Sequence, residues 1–216
     1  LHNLKRHGLG GEGFFLCGYN GAEIVEVTSG REIASSRMDG ELARDIFRIA
    51  AQYPVEIMAH LHGKVYSGNV EGFHAKTDAV VNGIELFPID ADGVRDLRPA
   101  KFLGAGKRAD LERMAERLRS EFGPETEIVF SADELLEVNS AGIDKGWGLR
   151  QLAGALNIPI EHTVAFGDNY NDLAMIQAAG LGVAMGNAVP EVLAAADRVA
   201  PTCYDDGFAA VIDELF

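Results

Sequence analysis

The spacing of apolar residues changes along this chain. From Gly13 the run GFFLCGYNGAEIVEV holds two short apolar stretches parted by Asn20-Gly21, and TSGREI adds another after Ser29-Gly30. Short apolar runs closed by Asn-Gly and Ser-Gly predict strands joined by tight turns. In DGELARDIFRIAAQY (39–53), Leu42, Ile46, Ile49, Ala50 and Tyr53 fall on one helical face behind Asp39, the expected N-cap. VEIMAHLH, KVYSG and GIELFPI, between Pro54 and Lys101, read as strands. ADLERMAERLRSEF (109–122) repeats Leu111, Met114, Ala115, Leu118 and Phe122 at helical spacing and stops at Gly123-Pro124, after which EIVFSA is a strand. The stretch as a whole mixes strands and helices in the α+β manner.

After about Glu134 strand and helix alternate with short links. LLEVNS, TVAFG, LGVAMG and RVA are strand-like, and DKGWGLRQLAGALNI, NDLAMIQAAG, PEVLAAAD and DGFAAVIDELF are helical. That alternation predicts an α/β fold with a doubly wound parallel sheet. Its expected strands are LLEVN, TVAFG, LGVAM and RVA, with GFFLC joining on the far side of a gap.

Composition narrows the function. The 216 residues carry a net charge of -14, a surface that repels nucleic acid and anionic membranes, so neither is expected as a partner. No stretch is long and apolar enough to span a bilayer, and LHNLKRHGLGGEG has no secretory apolar core. Cys17 and Cys203 lack metal-ligand spacing and read as thiols of a reduced protein, so a cytoplasmic location is expected.

The chemistry concentrates in FGDNYNDLAMI, 166–176. Ligands of open parallel sheets bind beyond the carboxyl ends of the strands, which puts Asp168 in a site loop after TVAFG and Asp172 one turn further on. Two converging carboxylates repel unless a cation or proton lies between them, and an all-oxygen ligand set favours a hard cation such as Mg2+. Alone, D-x-x-x-D reads more readily as a helix N-cap at Asp168 and a surface residue at Asp172. Lys145, in GIDKGWGL at the opening of a helix in the same region, could neutralise a phosphate, or could be a solvated surface lysine.

The order D-K-G, then GDNYNDLAM, GVAMGNA and DGF, resembles the C-terminal half of the haloacid-dehalogenase-like superfamily, in its Cof-like phosphatase branch with an α+β cap. Asn20-Gly21-Ala22 is similar to the turn that precedes the cap there. The resemblance implies a Rossmann-like α/β core with an inserted cap: residues 1–27 and 134–216 as core, 28–133 as cap. It implies a Mg2+-dependent phosphatase of small phosphorylated metabolites, sugar phosphates among them, in which a nucleophilic aspartate attacks phosphorus. Lys145 is then the phosphate-contacting lysine, Asp168 the metal ligand, and Asp172 a metal-site residue acting through waters and the lysine. Asn171 and Asn20 are substrate contacts.

The family's D-x-D-G-T strand, with the nucleophile, is not found ahead of these motifs. The chain is therefore expected to lack the first core strand and to be inactive alone; a non-catalytic remnant of the same fold is the alternative. FPIDADGV spells D-x-D-G-V, but Pro88 sits where a central strand needs an N–H, so Asp90 and Asp92 are set aside. His60, His62, Lys64 and Tyr66 form a polar cluster on a cap strand, which either faces a substrate or is an exposed strand face.

Overall fold

The computed structural model describes residues 11–215 and divides into two compact units, Leu1–Gly142 and Ile143–Phe216. The first unit opens with an antiparallel sheet of β1 (Phe15–Gly18), β2 (Glu23–Glu26) and β3 (Glu32–Ser35). The turn between β1 and β2 runs through left-handed backbone at Tyr19 (φ 53°) and Asn20 (φ 57°), a conformation asparagine tolerates better than most side chains.

Helix α1 (Gly40–Ala50) is capped by Asp39, whose carboxylate accepts the N–H groups of Glu41 and Leu42 at 3.0 and 3.2 Å. A six-stranded sheet follows, in the order β6-β5-β4-β7-β9-β8. Its strands are β4 (Glu56–Leu61), β5 (Lys64–Ser67), β6 (Glu85–Pro88), β7 (Lys101–Ala105), β8 (Thr126–Ala132) and β9 (Leu135–Ser140). All pairings are antiparallel except β5 with β6. The other helices of this unit are α2 (Phe73–Asn82), α3 (Ala91–Leu97) and α4 (Arg108–Phe122). One sheet face packs Ile57, Ala59, Phe102 and Leu136 against Ile46 of α1, Val94 of α3 and Leu111, Met114 and Leu118 of α4. The other packs Met58, Val65 and Leu103 under Ala75 and Ala79 of α2.

The second unit holds β10 (Val164–Gly167), β11 (Leu181–Ala184) and β12 (Arg198–Val199), all parallel and adjacent in that order. They alternate with α5 (Lys145–Ala155), α6 (Leu173–Ala178), α7 (Pro190–Ala195) and α8 (Gly207–Leu215). Ala165 and Ala184 pack with Ile176 of α6 and Val192 of α7, while Val183 packs with Val211 of α8. Neighbouring strand residues thus face opposite layers of helix, the mark of a doubly wound sheet.

GFFLC forms β1, paired antiparallel with β2. Two expectations need correction. The strand LLEVNS forms as β9 but pairs antiparallel with β7 and β8, so it belongs to the six-stranded sheet and not to the parallel one. The Pro54–Lys101 stretch, in which the sequence pattern showed strands, also contains α2 and α3. α2 buries little besides Ala75 and Ala79 and leaves Phe73, Val80 and Val81 exposed, so its periodicity is faint. Pro88 ends β6, an edge strand, where its missing N–H costs no ladder bond.

Candidate active site in the parallel-sheet unit

Gly167 ends β10 and Asp168 follows it into the loop at the carboxyl edge of the parallel sheet. The chain then turns through a 3-10 segment, Tyr170–Asp172, into α6. That turn is held from within. Asp172 is 5% exposed, and its Oδ2 accepts the backbone N–H groups of Asp168 and Asn169 at 2.9 and 3.1 Å. Asn169 Oδ1 in turn accepts the Tyr170 N–H at 2.8 Å.

The other oxygen of Asp172, Oδ1, takes a hydrogen bond from Lys145 Nζ. Lys145 is the first residue of α5, whose N-cap Asp144 accepts the Trp147 N–H at 2.7 Å. The salt bridge therefore ties the start of α5 to the β10–α6 loop. Burial pushes the Asp172 carboxyl up, but Lys145 and the two amides outweigh it and hold it below the ordinary aspartate range.

Two glycines permit this closeness. A Cβ on Gly167 would lie 2.4 Å from Asp172 Cβ, and one on Gly146 would lie 2.5 Å from the Ala174 carbonyl oxygen. Gly146 thus lets α5 settle against α6, which brings Lys145 to Asp172.

Asp168 presents the opposite case. Its side chain is exposed, and Asn187 Nδ2 stands 3.5 Å from Oδ2, at the outer limit of a hydrogen bond. Asn187, in the loop after β11, also accepts the Cys203 N–H at 3.0 Å. Asp168 therefore offers carboxylate oxygens, the donor type a hard cation takes, while both oxygens of Asp172 are already engaged. Asn171 lies on the 3-10 turn beside Asp172.

Lys145, Asp168, Asn171 and Asp172 all belong to this second unit. Asn20 belongs to the first, where its Nδ2 donates to the buried Glu137, itself 3.1 Å from Lys101 Nζ. Asp90 accepts the Gly93 N–H as the cap of α3, and exposed Asp92 lies 3.6 Å from Arg48. Asn169, Asn187 and Gly167 join the site in the structure without having stood out in the sequence. Their signals were present in GDNYND and GVAMGNA, but nothing in one sequence says which asparagine turns inward.

The haloacid dehalogenase-like hydrolase family matches residues 3–212. The chain belongs to that family. A putative phosphatase of Haemophilus influenzae is 30% identical over 202 residues, covering 93% of this chain and 76% of that protein. A Bacillus subtilis 5-amino-6-(5-phospho-D-ribitylamino)uracil phosphatase is 44% identical over 88 residues, 41% of this chain and 35% of that protein. Among solved structures, a haloacid dehalogenase-like hydrolase of Bacteroides thetaiotaomicron superposes with a TM-score of 0.83 at 29% identity, covering 100% of this chain and 80% of its own. Among the described residues no helix is long and apolar enough to cross a membrane.

Proposed function

We propose that this chain carries the lysine and metal-binding side of a Mg2+-dependent phosphomonoester hydrolase acting on small phosphorylated metabolites, sugar phosphates among them. The observation that carries the reading is the double use of Asp172. One oxygen fixes Lys145, and the other fixes the backbone that presents Asp168 at the carboxyl edge of the parallel sheet. An ammonium and an exposed carboxylate are thereby held by one buried group, an arrangement suited to a dianionic phosphate and its cation. Family membership and the phosphatase descriptions of the relatives point the same way.

In this reading Asp168 holds Mg2+, and Asp172 acts on the metal site by positioning the loop and the lysine. Bound Mg2+ would offset phosphate charge so that an anionic nucleophile can approach. Lys145 orients a phosphate oxygen, and Asn171 contacts phosphate or substrate. Asn20 remains a proposed substrate contact, with Glu137 fixing its amide. Residues 28–133 are read as the cap and residues 1–27 and 134–216 as core, although β9 pairs into the sheet of the cap strands.

These residues stabilise charge and position groups, but none attacks phosphorus. The sequence offers D-x-D-G only at Asp90 and Asp92, and those cap a helix and face solvent. The 216 residues alone are therefore proposed not to turn over phosphomonoesters. The test is release of inorganic phosphate from a panel of sugar phosphates with and without Mg2+. The chain alone should be silent, and adding a β-α-β segment that bears D-x-D-G-T should produce Mg2+-dependent release. Lys145→Ala or Asp168→Ala should then abolish it. Clear turnover by the chain alone would return Asp90 and Asp92 to consideration, and silence in every arm would favour a non-catalytic remnant. By titration calorimetry, Asp168→Ala should remove Mg2+ binding, whereas Asp172→Ala should only weaken it.

A further inference from the structure

Asp172 fixes the backbone at Asp168, but the Asp168 side chain can still turn about its own bonds. Which carboxylate oxygen meets a cation depends on what holds that rotation. Among the described residues, Asn187 is the one side chain that donates to the Asp168 carboxylate.

The loop that carries Asn187 is strapped along the Asp168 loop. The Met185 N–H donates to the Gly167 carbonyl and the Val189 N–H to the Asp168 carbonyl, each at 2.9 Å. Between these bonds the Ala188 N–H closes a turn on the Met185 carbonyl at 2.8 Å, with Asn187 inside it. The same loop also meets the one after β12, where the Gly186 N–H donates to the Pro201 carbonyl at 3.2 Å. Asn187 thus stands where β10, β11 and β12, neighbours in the parallel sheet, release their loops.

Its amide has one workable orientation. The Cys203 backbone N–H can only donate, so the atom it faces at 3.0 Å is the carbonyl oxygen of Asn187. The NH2 is then the end that faces Asp168 Oδ2 at 3.5 Å. A flipped amide would set donor against donor at Cys203 and oxygen against carboxylate at Asp168. The Asp168 contact is long and open to water, so it adds little to stability. Its effect is directional: Oδ2 is drawn to Asn187, and Oδ1 is left for a cation.

We propose that Asn187 is a positioning residue of the site: it sets the rotation of the Asp168 carboxylate for a divalent cation and ties it to the loop after β12. The inference rests on the reading of Asp168 as the cation ligand and deepens it. Asp172 fixes the backbone of Asp168 and Asn187 fixes its side chain, so the two act separately. The residue type follows from its neighbours. Aspartate here would set carboxylate against carboxylate, and leucine, of similar shape, would serve neither Cys203 nor Asp168.

The first arm of the test needs no metal. In the whole chain, 1H–15N spectra follow the Asn187 side-chain NH2 and the Cys203 backbone N–H. Asp168→Ala, a change at an exposed side chain, should move the NH2 pair and leave the Cys203 signal in place. The second arm is titration calorimetry with Mg2+. Asn187→Ala should weaken binding about fivefold, as fits the loss of one long hydrogen bond in water. Cys203→Pro removes only the N–H that anchors the amide. Thr202 is already extended (φ -68°, ψ 163°), as a residue before proline should be, and Cys203 opens a 3-10 turn. That variant should weaken Mg2+ about as much as Asn187→Ala, although Cys203 is no ligand. An NH2 pair unmoved by Asp168→Ala would mean that Asn187 serves Cys203 alone and would overturn the proposal. Mg2+ binding equal to wild type in Asn187→Ala or in Cys203→Pro would overturn it as well. A wild-type chain that binds no Mg2+ would refute the cation reading of Asp168 instead, and the metal-free spectra would still decide whether Asn187 holds its carboxylate.

Discussion

Replacing Asp172 with alanine removes one acceptor group that serves three donors, and its cost can be worked from those donors. The Asp168 and Asn169 amides lose their partner. Asp168 lies at the surface, so water can reach this part of the loop, and each orphaned amide costs near the low end of the range, about 1 kcal/mol. Lys145 loses its counter-charge. Breaking a fully buried pair costs about 3–5 kcal/mol, but the Lys145 side chain is 32% exposed and can be rehydrated, which reduces this to about 1 kcal/mol. The sum is about 3 kcal/mol of stability, confined to the second unit. Trp147 is the chain's one tryptophan and lies in the first turn of α5, so its fluorescence reports that unit in a urea titration. A Lys145→Met, Asp172→Ala double-mutant cycle separates the ion pair from the amides, and a coupling of about 1 kcal/mol is expected. A loss below about 0.5 kcal/mol for Asp172→Ala would refute the reasoning. It would mean that the loop keeps its shape without the buried carboxylate, and that Asp172 does not position Asp168.

The Asp172 pKa predicts a pH dependence with a definite sign. Because its folded value lies below the unfolded one, the stabilisation is complete above the ordinary aspartate range of about 4 and is lost as pH falls through the folded value. The Trp147 transition should therefore move to lower urea on acidification, with a shallower dependence in Asp172→Asn; an unchanged dependence would assign the effect to other carboxylates. Gly167→Ala places a Cβ 2.4 Å from that of Asp172 and should destabilise the second unit by about 2 kcal/mol and loosen Lys145. A neutral melt together with unaltered Mg2+ and phosphate binding would show that the loop adapts.

What the sequence disclosed was set by the range of the forces involved. The α1 cap and the α4 stripe are local, and Asp39 and the repeat from Leu111 to Leu118 stated them outright. The alternation from TVAFG onward fixed the parallel unit because each short link leaves a strand only one way to return. The partner of β9 was not local. Leu135, Leu136 and Val138 say strand, but pairing with β7 across some thirty residues is a tertiary choice. One clue was available: Glu137 and Asn139 are polar positions that a strand buried on both faces of a parallel sheet would not usually hold. In this sheet Glu137 is buried against Lys101 and Asn20.

The site was legible as a set of residue types and opaque in its division of labour. Two aspartates four apart look equivalent in FGDNYND, and the repulsion between them asks for a cation. The structure supplies that cation from within, since Lys145 compensates Asp172 before any metal is considered. With one carboxylate buried and paired to Lys145, the other stands exposed beside it. Had both faced solvent, a bound cation would have had to organise the loop as well as bind to it. Here the loop is already ordered by Asp172, so a cation at the site proposed for Asp168 would not have to order the backbone that carries it.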